Sequence, residues 1–369
     1  MVADAGRLRT PVLAGVAGKV AEAITLVLLA TVVPRLLGPQ DYGRFAVVLT
    51  LVAIGSVALT LGGATLLARY VPAAAPDERA PLARVMTQRL ARNRAWLLGA
   101  LTVVAGLLVL ADPDRFPVLP TTFVLVALGL NVAATLALQA GLGLGHAWAW
   151  SARYPVQNGV LIGSVIVLYA AAGVTGAMAA VLVAAVAAAV LGAVAAAPLW
   201  RRGGAPVAFP DGASRFGLLQ AAGGVFGQVA QRGGVVAVAV LAGSGLQTGY
   251  AALAVGVALA ATYAVVQLFT VALPVLTERP DAESTLRRLA GVLLAATVLA
   301  TAPAALVVDI AVPFAFGADY SGAAPAFGPA LAMVVLAPVN ALLVQAGALR
   351  LRPEVLLRAT AVGAAVFAG

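Results

Sequence analysis

Ionisable residues that could bind a charged solute are rare within the long apolar stretches of this sequence. Lys19 and Glu22 lie three residues apart, so on a helix they share a face and can pair, although Lys19 can also snorkel to an interface. Arg232 lies in the middle of another stretch, with no acidic residue within one turn. Because a buried ionisable group costs about 2.5–3.5 kcal/mol on insertion scales, it generally faces a cavity or a partner. Arg232 therefore predicts a site for an anion, and a diphosphate suits its bidentate donors.

Neutral amides extend this polar surface, and several recur at helical spacing. Amides both donate and accept hydrogen bonds, which fits a cavity lined for sugar hydroxyls. The same amides can instead form hydrogen bonds to a neighbouring helix. The sequence leaves both roles open, substrate binding and helix packing. The substrate-binding residues hypothesised from the sequence are Arg232, Lys19, Glu22, Gln228, Gln231, Asn131, Gln139, Gln267, Asn340 and Gln345.

Other kinds of chemistry find little support in the sequence. Cysteine is absent, which excludes disulfides, thiol catalysis and thiolate metal sites. The single histidine, His146, has no partner residues for a metal site. We expect no cofactor, no bound metal and no catalytic residues.

The composition indicates a polytopic helical membrane protein. Hydrophobic residues make up 62% of the 369 residues and charged residues 10%, with a mean hydropathy of +1.03.

Local patterns predict the loops, turns and spans along the chain. Residues 71–94 contain five arginines and indicate a loop at the membrane surface, and the glycines at 173 and 176 predict a tight turn. The small-xxx-small spacing of Gly159 and Gly163 favours close helix packing. The ten predicted spans are approximately 12–33, 44–69, 95–111, 118–144, 154–173, 176–199, 217–243, 249–276, 289–308 and 325–349.

The arginines predict the orientation of these spans. When the loops are assigned alternately to the two sides, seventeen arginines fall on one side and three on the other. The positive-inside rule then places the N-terminus in the cytoplasm. The net charge of +9 is therefore a topology signal, and we expect no nucleic-acid partner. The preference for arginine over lysine is typical of a GC-rich bacterial genome. In a bacterium, a chain of helical spans is expected in the inner membrane, since outer-membrane barrels need alternating strands.

An internal repeat predicts two bundles. LQAG at 138–141 recurs as VQAG at 344–347, and QDYG at 40–43 is echoed by QTGY at 247–250, at nearly the same separation. The predicted fold is therefore all-α, with two six-helix bundles related by a pseudo-two-fold axis along the membrane normal. We place the bundles at 1–203 and 204–369. Two such bundles require twelve spans, whereas ten full spans and a partial eleventh precede Gly369. We therefore expect the second bundle to be incomplete and the sequence to be truncated at its C-terminus.

Two segments carry a family resemblance. Residues 33–45, VPRLLGPQDYGRF, resemble the signature between spans 1 and 2 of the polysaccharide (O-antigen) flippases, and FGADYSGAAP at 316–325 with LAPVN at 336–340 resembles their span 9 to 10 region. That family belongs to the multidrug, oligosaccharidyl-lipid and polysaccharide exporter superfamily. The resemblance implies alternating access and movement of an undecaprenyl-diphosphate-linked oligosaccharide to the outer leaflet. It also implies contact with membrane lipids and functional association with a polysaccharide polymerase and glycosyltransferases.

Three other functions are weighed against the flippase. A cation-coupled multidrug exporter of the same superfamily would favour acidic groups in its cavity, and only Glu22 and Asp309 are available. An integral-membrane glycosyltransferase or polymerase would need catalytic carboxylates or a large soluble loop, which the sequence does not offer. A non-transporting membrane scaffold is the third alternative.

Overall fold

The computed structural model describes residues 4–60, 62–114, 116–201, 207–210, 212–276, 282–349, 357, 358 and 361. Most of these residues are helical and no strand occurs among them, which confirms the predicted all-α class. A short 3-10 segment, Ala318–Ala323, precedes the last long helix. The helices in chain order are α1 (Asp4–Thr60), α2 (Gly63–Ala73), α3 (Arg79–Ala111), α4 (Val118–Gly143), α5 (Ala147–Arg201), α6 (Ala213–Ala242), α7 (Gly245–Leu276), α8 (Ala282–Phe316) and α9 (Ala324–Leu349).

Two of these helices are too long for one membrane crossing, and each is broken at a glycine. α1 has 57 residues and α5 has 55, whereas about 20 residues cross the hydrocarbon core. In α1 the break is at Gly38, with a left-handed φ of 69°, and Pro39 begins the next segment, where proline is tolerated. In α5 the break is at Ala172 and Gly173, which confirms the predicted turn. The described residues hold eight helices that are long and apolar enough to span a membrane. Counting each broken helix as two gives ten, the predicted number. The predicted span 44–69 is nevertheless wrong as a single helix, because α1 ends at Thr60 and α2 begins at Gly63, after Gly62 with a φ of 67°.

The helices extend beyond the apolar runs that predicted them. The predicted surface loop at 71–94 is wrong from Arg79 onward, because α3 is continuous from Arg79 to Ala111. Hydropathy locates the part of a helix inside hydrocarbon, whereas the backbone hydrogen bonds continue into the interface, where charged side chains are solvated. The predicted partial eleventh span, at 359–369, lies outside the described residues apart from Ala361.

Large apolar side chains are exposed along the outer faces of several helices. Leu110 on α3 is 82% exposed, and Val103 and Leu107 lie on the same stripe. On α8, Leu306 is 85% exposed and Phe314 is 87% exposed. Stripes of this size are rare on soluble proteins and are typical of helices that face lipid. Together with the candidate spans, they define a multi-pass membrane protein.

The chain forms two compact units, which we describe separately. Unit 1 is drawn from residues 1–25 and 51–222, and unit 2 from residues 26–50 and 223–369. In unit 1, buried apolar side chains of α2, α3 and α4 pack around Met86. In unit 2, α7, α8 and α9 pack around Phe269 and Leu286. The predicted bundle boundary at residues 203 and 204 stays a prediction.

One glycine spacing does not have its predicted role. Gly159 and Gly163 on α5 are exposed, and a Cβ added at either would have no described atom within 4 Å. The predicted close packing at this pair is therefore wrong within the described residues. Small residues permit close approach but do not by themselves create a neighbour.

Candidate functional site

A buried carboxylate pairs with a lysine in unit 1. Glu22 is 5% exposed, and its Oε2 accepts a hydrogen bond from Lys19 Nζ at 2.8 Å. The lysine side chain is 32% exposed. The three-residue spacing on α1 brings the two groups together, and the opposite charge offsets part of the cost of burying a carboxylate. The pair thus combines a buried anion with a partly accessible cation.

Two hydrogen bonds connect this pair to α5. Thr25 Oγ1 donates to the backbone carbonyl of Glu22 at 3.0 Å. The same hydroxyl accepts a hydrogen bond from Asn158 Nδ2 at 3.2 Å. A hydroxyl can donate and accept at once, so Thr25 links the carboxylate-bearing turn of α1 to a buried amide on α5.

The neighbouring amide on α5 bonds to α4. Gln157 Nε2 donates to Asn131 Oδ1 at 2.9 Å. Asn131 Nδ2 in turn donates to the carbonyl of Ala127 at 2.9 Å, and Thr135 Oγ1 donates to the carbonyl of Asn131 at 2.7 Å. Asn131 is buried and its amide is used on both sides. These contacts form two hydrogen-bonded groups that meet at adjacent residues of α5. One links α1 to α5 and the other links α5 to α4, and we call the six residues together the polar network: Lys19, Glu22, Thr25, Asn131, Gln157 and Asn158.

Three members of this network were missing from the sequence prediction. Thr25, Gln157 and Asn158 supply the contacts between helices, yet none of them is charged. A signal did exist, because residues 157 and 158 are two adjacent amides in an otherwise apolar span. Adjacent residues on a helix point in directions about 100° apart, so such a pair can reach two different neighbours.

Gln139 lies two turns beyond Asn131 on α4. It is buried, and no described donor reaches its Oε1. A buried acceptor without a donor costs about 1–3 kcal/mol unless water or a solute supplies the hydrogen bond. Among the predicted residues of unit 1, Gln139 is therefore the one whose side-chain oxygen could accept a hydrogen bond from a solute.

The remaining predicted residues belong to unit 2. Arg232 is partly buried on α6 and close enough to Tyr42 to interact electrostatically with its hydroxyl group. Gln267 on α7 also has a buried Oε1 that no described donor reaches. Gln228 and Gln231 on α6 and Asn340 on α9 are partly buried, whereas the side chain of Gln345 lies outside the described part. A single cavity lined by residues of both units stays a prediction.

The two segments that carry the family resemblance contact each other within unit 2. Tyr320 is 1% exposed, and its hydroxyl donates to the carbonyl of Pro34 at 3.0 Å. Its ring packs against that of Tyr250, with centroids 6.2 Å apart. The Tyr250 hydroxyl donates to the carbonyl of Asp319 at 3.1 Å. Residues remote in sequence thus form one buried contact around the break in α1.

Comparison with known proteins shows what this helical arrangement is similar to. No protein-family model matches the sequence, and no curated protein matches it. Among solved structures, one described as MATE in complex with MaL6 is similar with a TM-score of 0.59 and 16% identity, covering 95% of this chain and 85% of that one. A mutant of the Vibrio cholerae MATE transporter VcmN is similar with a TM-score of 0.56 and 13% identity, covering 99% of this chain and 86% of that one.

These similarities define the fold. The protein is a multi-pass helical membrane protein, and its fold is similar to that of these two structures. This confirms the all-α, multi-pass fold that the sequence predicted. The resemblance to the polysaccharide flippases stays a prediction.

Proposed function

We propose that this chain is a cation-coupled exporter, which moves a solute across the membrane by alternating access and uses Glu22 as its cation-binding group. The fold supports this proposal, because both solved structures named above are MATE proteins. The observation that carries the proposal is the burial of Glu22 in the polar network of unit 1. This function was the alternative in the sequence analysis, where Glu22 was one of two available acidic groups.

The Lys19–Glu22 pair offers a physical means of coupling. In the structure Lys19 Nζ lies 2.8 Å from the carboxylate. A proton or a sodium ion on Glu22 removes or shares the negative charge, so it competes directly with Lys19 for the carboxylate. The released ammonium group can then turn toward water or an anionic solute. Glu22 thus makes different contacts when it is paired with Lys19 and when it holds a proton or a sodium ion. If these two states favour different conformations of the protein, binding of the cation shifts the equilibrium between them.

The test of this proposal is gradient-driven transport by Glu22→Gln. This change keeps the shape of the side chain and removes the titratable charge. The purified protein would be reconstituted in liposomes, and uptake of a fluorescent organic cation would be followed under an imposed proton or sodium gradient. We expect Glu22→Gln to transport no faster than empty liposomes. The matched control is Glu78→Gln, the same change at an exposed carboxylate that precedes α3, and it should keep the wild-type rate. Wild-type transport by Glu22→Gln would overturn the role of Glu22.

A second candidate function is the flipping of an undecaprenyl-diphosphate-linked oligosaccharide. The observation that favours it is the contact between residues 33–45 and 316–325, because the two segments resembling the flippases form one packed structure. In this candidate Arg232 binds the diphosphate of the lipid carrier, and amides among the residues predicted from the sequence bind the sugars. A polysaccharide polymerase and glycosyltransferases would be its functional partners in the bacterial inner membrane.

Measuring the export of polysaccharide to the cell surface distinguishes the flippase from the cation-coupled exporter. In the native bacterium, a flippase whose Arg232 is replaced by alanine should insert normally and export no polysaccharide. Arg215→Ala is the matched control, because Arg215 is an exposed arginine on the same helix. Normal export by Arg232→Ala at matched abundance would reject the assignment of Arg232. Normal export after deletion of the whole chain would reject the flippase itself and leave the exporter as the candidate.

A further inference from the structure

A half-open groove of about 460 Å³ lies on unit 1, outside the polar network. One wall is α3, and the other is formed by Phe209 and the first turns of α6. Along α3 the lining runs from a polar end, at Arg89 and Asn93, to an apolar end, at Trp96 and Leu97, and Leu218 of α6 also lines the groove. This is the amphipathic profile of a lipid molecule, with a polar headgroup attached to apolar chains.

The polar end carries positive charge. Arg89 is exposed, and its guanidinium lies over the ring of Phe209, 4.5 Å from the centroid. Within the described residues no carboxylate lies within ion-pair distance of Arg89, so its charge is not balanced by a described acidic group. Arg94 also lines the groove, but it is buried and its Nη2 donates to the carbonyl of Thr60 at 3.0 Å. Arg89 is therefore the arginine best placed to receive a ligand.

The apolar end continues into the lipid-facing side of α3. Trp96 is 78% exposed and Leu97 is 41% exposed, while Leu218 on the opposite wall is 57% exposed. About two and three turns beyond Trp96, Val103 and Leu107 are exposed on the same helix. A chain that leaves the groove beside Trp96 would thus run along a surface that already faces hydrocarbon.

The position of the groove along the membrane normal also fits a lipid headgroup. α3 ends at Ala111, and about 20 helical residues cross the hydrocarbon core, so the other boundary of the core falls near residue 92. Trp96 then lies just inside the boundary, where tryptophan is enriched, and Arg89 lies at the level of the headgroups. The arginine distribution predicts that this end of α3 is cytoplasmic, and the cytoplasmic leaflet attracts basic residues through its anionic lipids.

We propose that this groove binds one anionic phospholipid. Arg89 and Asn93 hold the phosphate through charge-assisted and neutral hydrogen bonds, and the acyl chains lie along Trp96 and Leu97. The net negative charge of the lipid selects it over zwitterionic lipids, because a choline or ethanolamine cation would be repelled by Arg89. The site is separate from the polar network and does not depend on which solute the protein transports.

Quenching of Trp96 fluorescence by brominated lipid tests this proposal. The full-length protein would be reconstituted with mixtures of unlabelled lipid and either brominated phosphatidylglycerol or brominated phosphatidylcholine. Both lipids carry a phosphate, so the ratio of their binding constants isolates the effect of net charge. The signal of Trp96 is obtained by subtracting the signal of Trp96→Phe. We expect phosphatidylglycerol to be preferred about fivefold, the size of effect that one favourably placed arginine supplies.

Matched variants on the same helix make the test specific. Arg89→Gln should reduce the preference for phosphatidylglycerol to near one, whereas Arg89→Lys, which keeps the charge, should retain part of it. Arg92→Gln removes an exposed arginine one turn away that does not line the groove, and it should retain most of the preference. Equal quenching of the wild type by both lipids would overturn the proposal. An equal loss of preference in Arg89→Gln and Arg92→Gln would also overturn it, because it would indicate general surface charge in place of a site.

Discussion

Replacing Gly249 by alanine should destabilise unit 2, because the first turns of α7 pack directly on backbone. A Cβ added at Gly249 would overlap the carbonyl group of Pro39. Gly43 makes the reciprocal approach, since its added Cβ would overlap the carbonyl of Gly245. A side chain in contact can change rotamer, whereas a backbone carbonyl moves only when its helix moves. Alanine at Gly249 therefore requires α7 or the segment after Gly38 to shift.

The size of the effect follows from two opposing contributions. Overpacking in a well-packed region costs about 1–3 kcal/mol, and occasionally more. Alanine gains about 0.8–1 kcal/mol over glycine in a helix interior. The net change expected for Gly249→Ala is a loss of up to about 2 kcal/mol, toward the upper end of that range because the clash is with backbone. At the exposed Gly159 nothing described lies within 4 Å, so alanine there should stabilise the protein by roughly 0.5–1 kcal/mol.

The two substitutions are the same chemical change, so their opposite signs test the geometry itself. The measurement is thermal unfolding of the purified protein in one detergent, with the wild type beside both variants. Gly256→Ala provides an intermediate case, because its Cβ would lie 3.4 Å from the Tyr42 hydroxyl, an ordinary contact. We expect the order Gly159→Ala, Gly256→Ala, Gly249→Ala from most to least stable. A Gly249→Ala protein as stable as Gly159→Ala would refute the close approach of α7 to Pro39.

Three hydrogen bonds provide further predictions. Tyr320→Phe leaves the buried carbonyl of Pro34 without its donor and should lower the free energy of unfolding by about 1–3 kcal/mol, measured by thermal unfolding with the wild type as reference. Arg94→Gln removes the charged donor to the last carbonyl of α1 and should cost about 1.5–3 kcal/mol, whereas the exposed Arg92→Gln should be nearly neutral in the same assay. Asn158→Leu cuts the link between α1 and α5 and should cost about 0.6–2 kcal/mol. Hydrogen exchange should then accelerate in the first half of α1, and unchanged exchange there would contradict the link.

The spans could be predicted from the sequence because a membrane imposes a length. About 20 apolar residues are needed for each crossing, so the charge-free stretch from Tyr154 to Leu199 had to contain two helices. The turn at Gly173 followed from the same requirement. The start of α3 at Arg79 did not follow, because the hydrogen bonds of a helix do not end where its apolar residues end. Hydropathy contains no information about the additional turns.

The partners of the polar residues could not be predicted for a different reason. The spacing of Lys19 and Glu22 is local, so a pair within α1 follows from helix geometry alone. The hydrogen bond from Asn158 to Thr25 joins residues 133 positions apart, and that from Gln157 to Asn131 joins residues 26 positions apart. Which helices become neighbours depends on the packing of the whole unit, which no local pattern determines.

The arrangement of these partners connects Glu22 on α1 to the positions of α4 and α5. Consecutive positions on α5 point in directions about 100° apart, so Gln157 reaches α4 while Asn158 reaches α1. A change at Glu22 that shifts its turn of α1 therefore acts on α5 through Thr25, and a rotation of α5 displaces Gln157 relative to Asn131. Purely apolar contacts would allow small displacements of one helix relative to another. Buried hydrogen bonds resist such displacements, because breaking them without replacement costs free energy. The network thus ties the buried charge to the positions of two other helices, which is the connection that cation coupling at Glu22 requires.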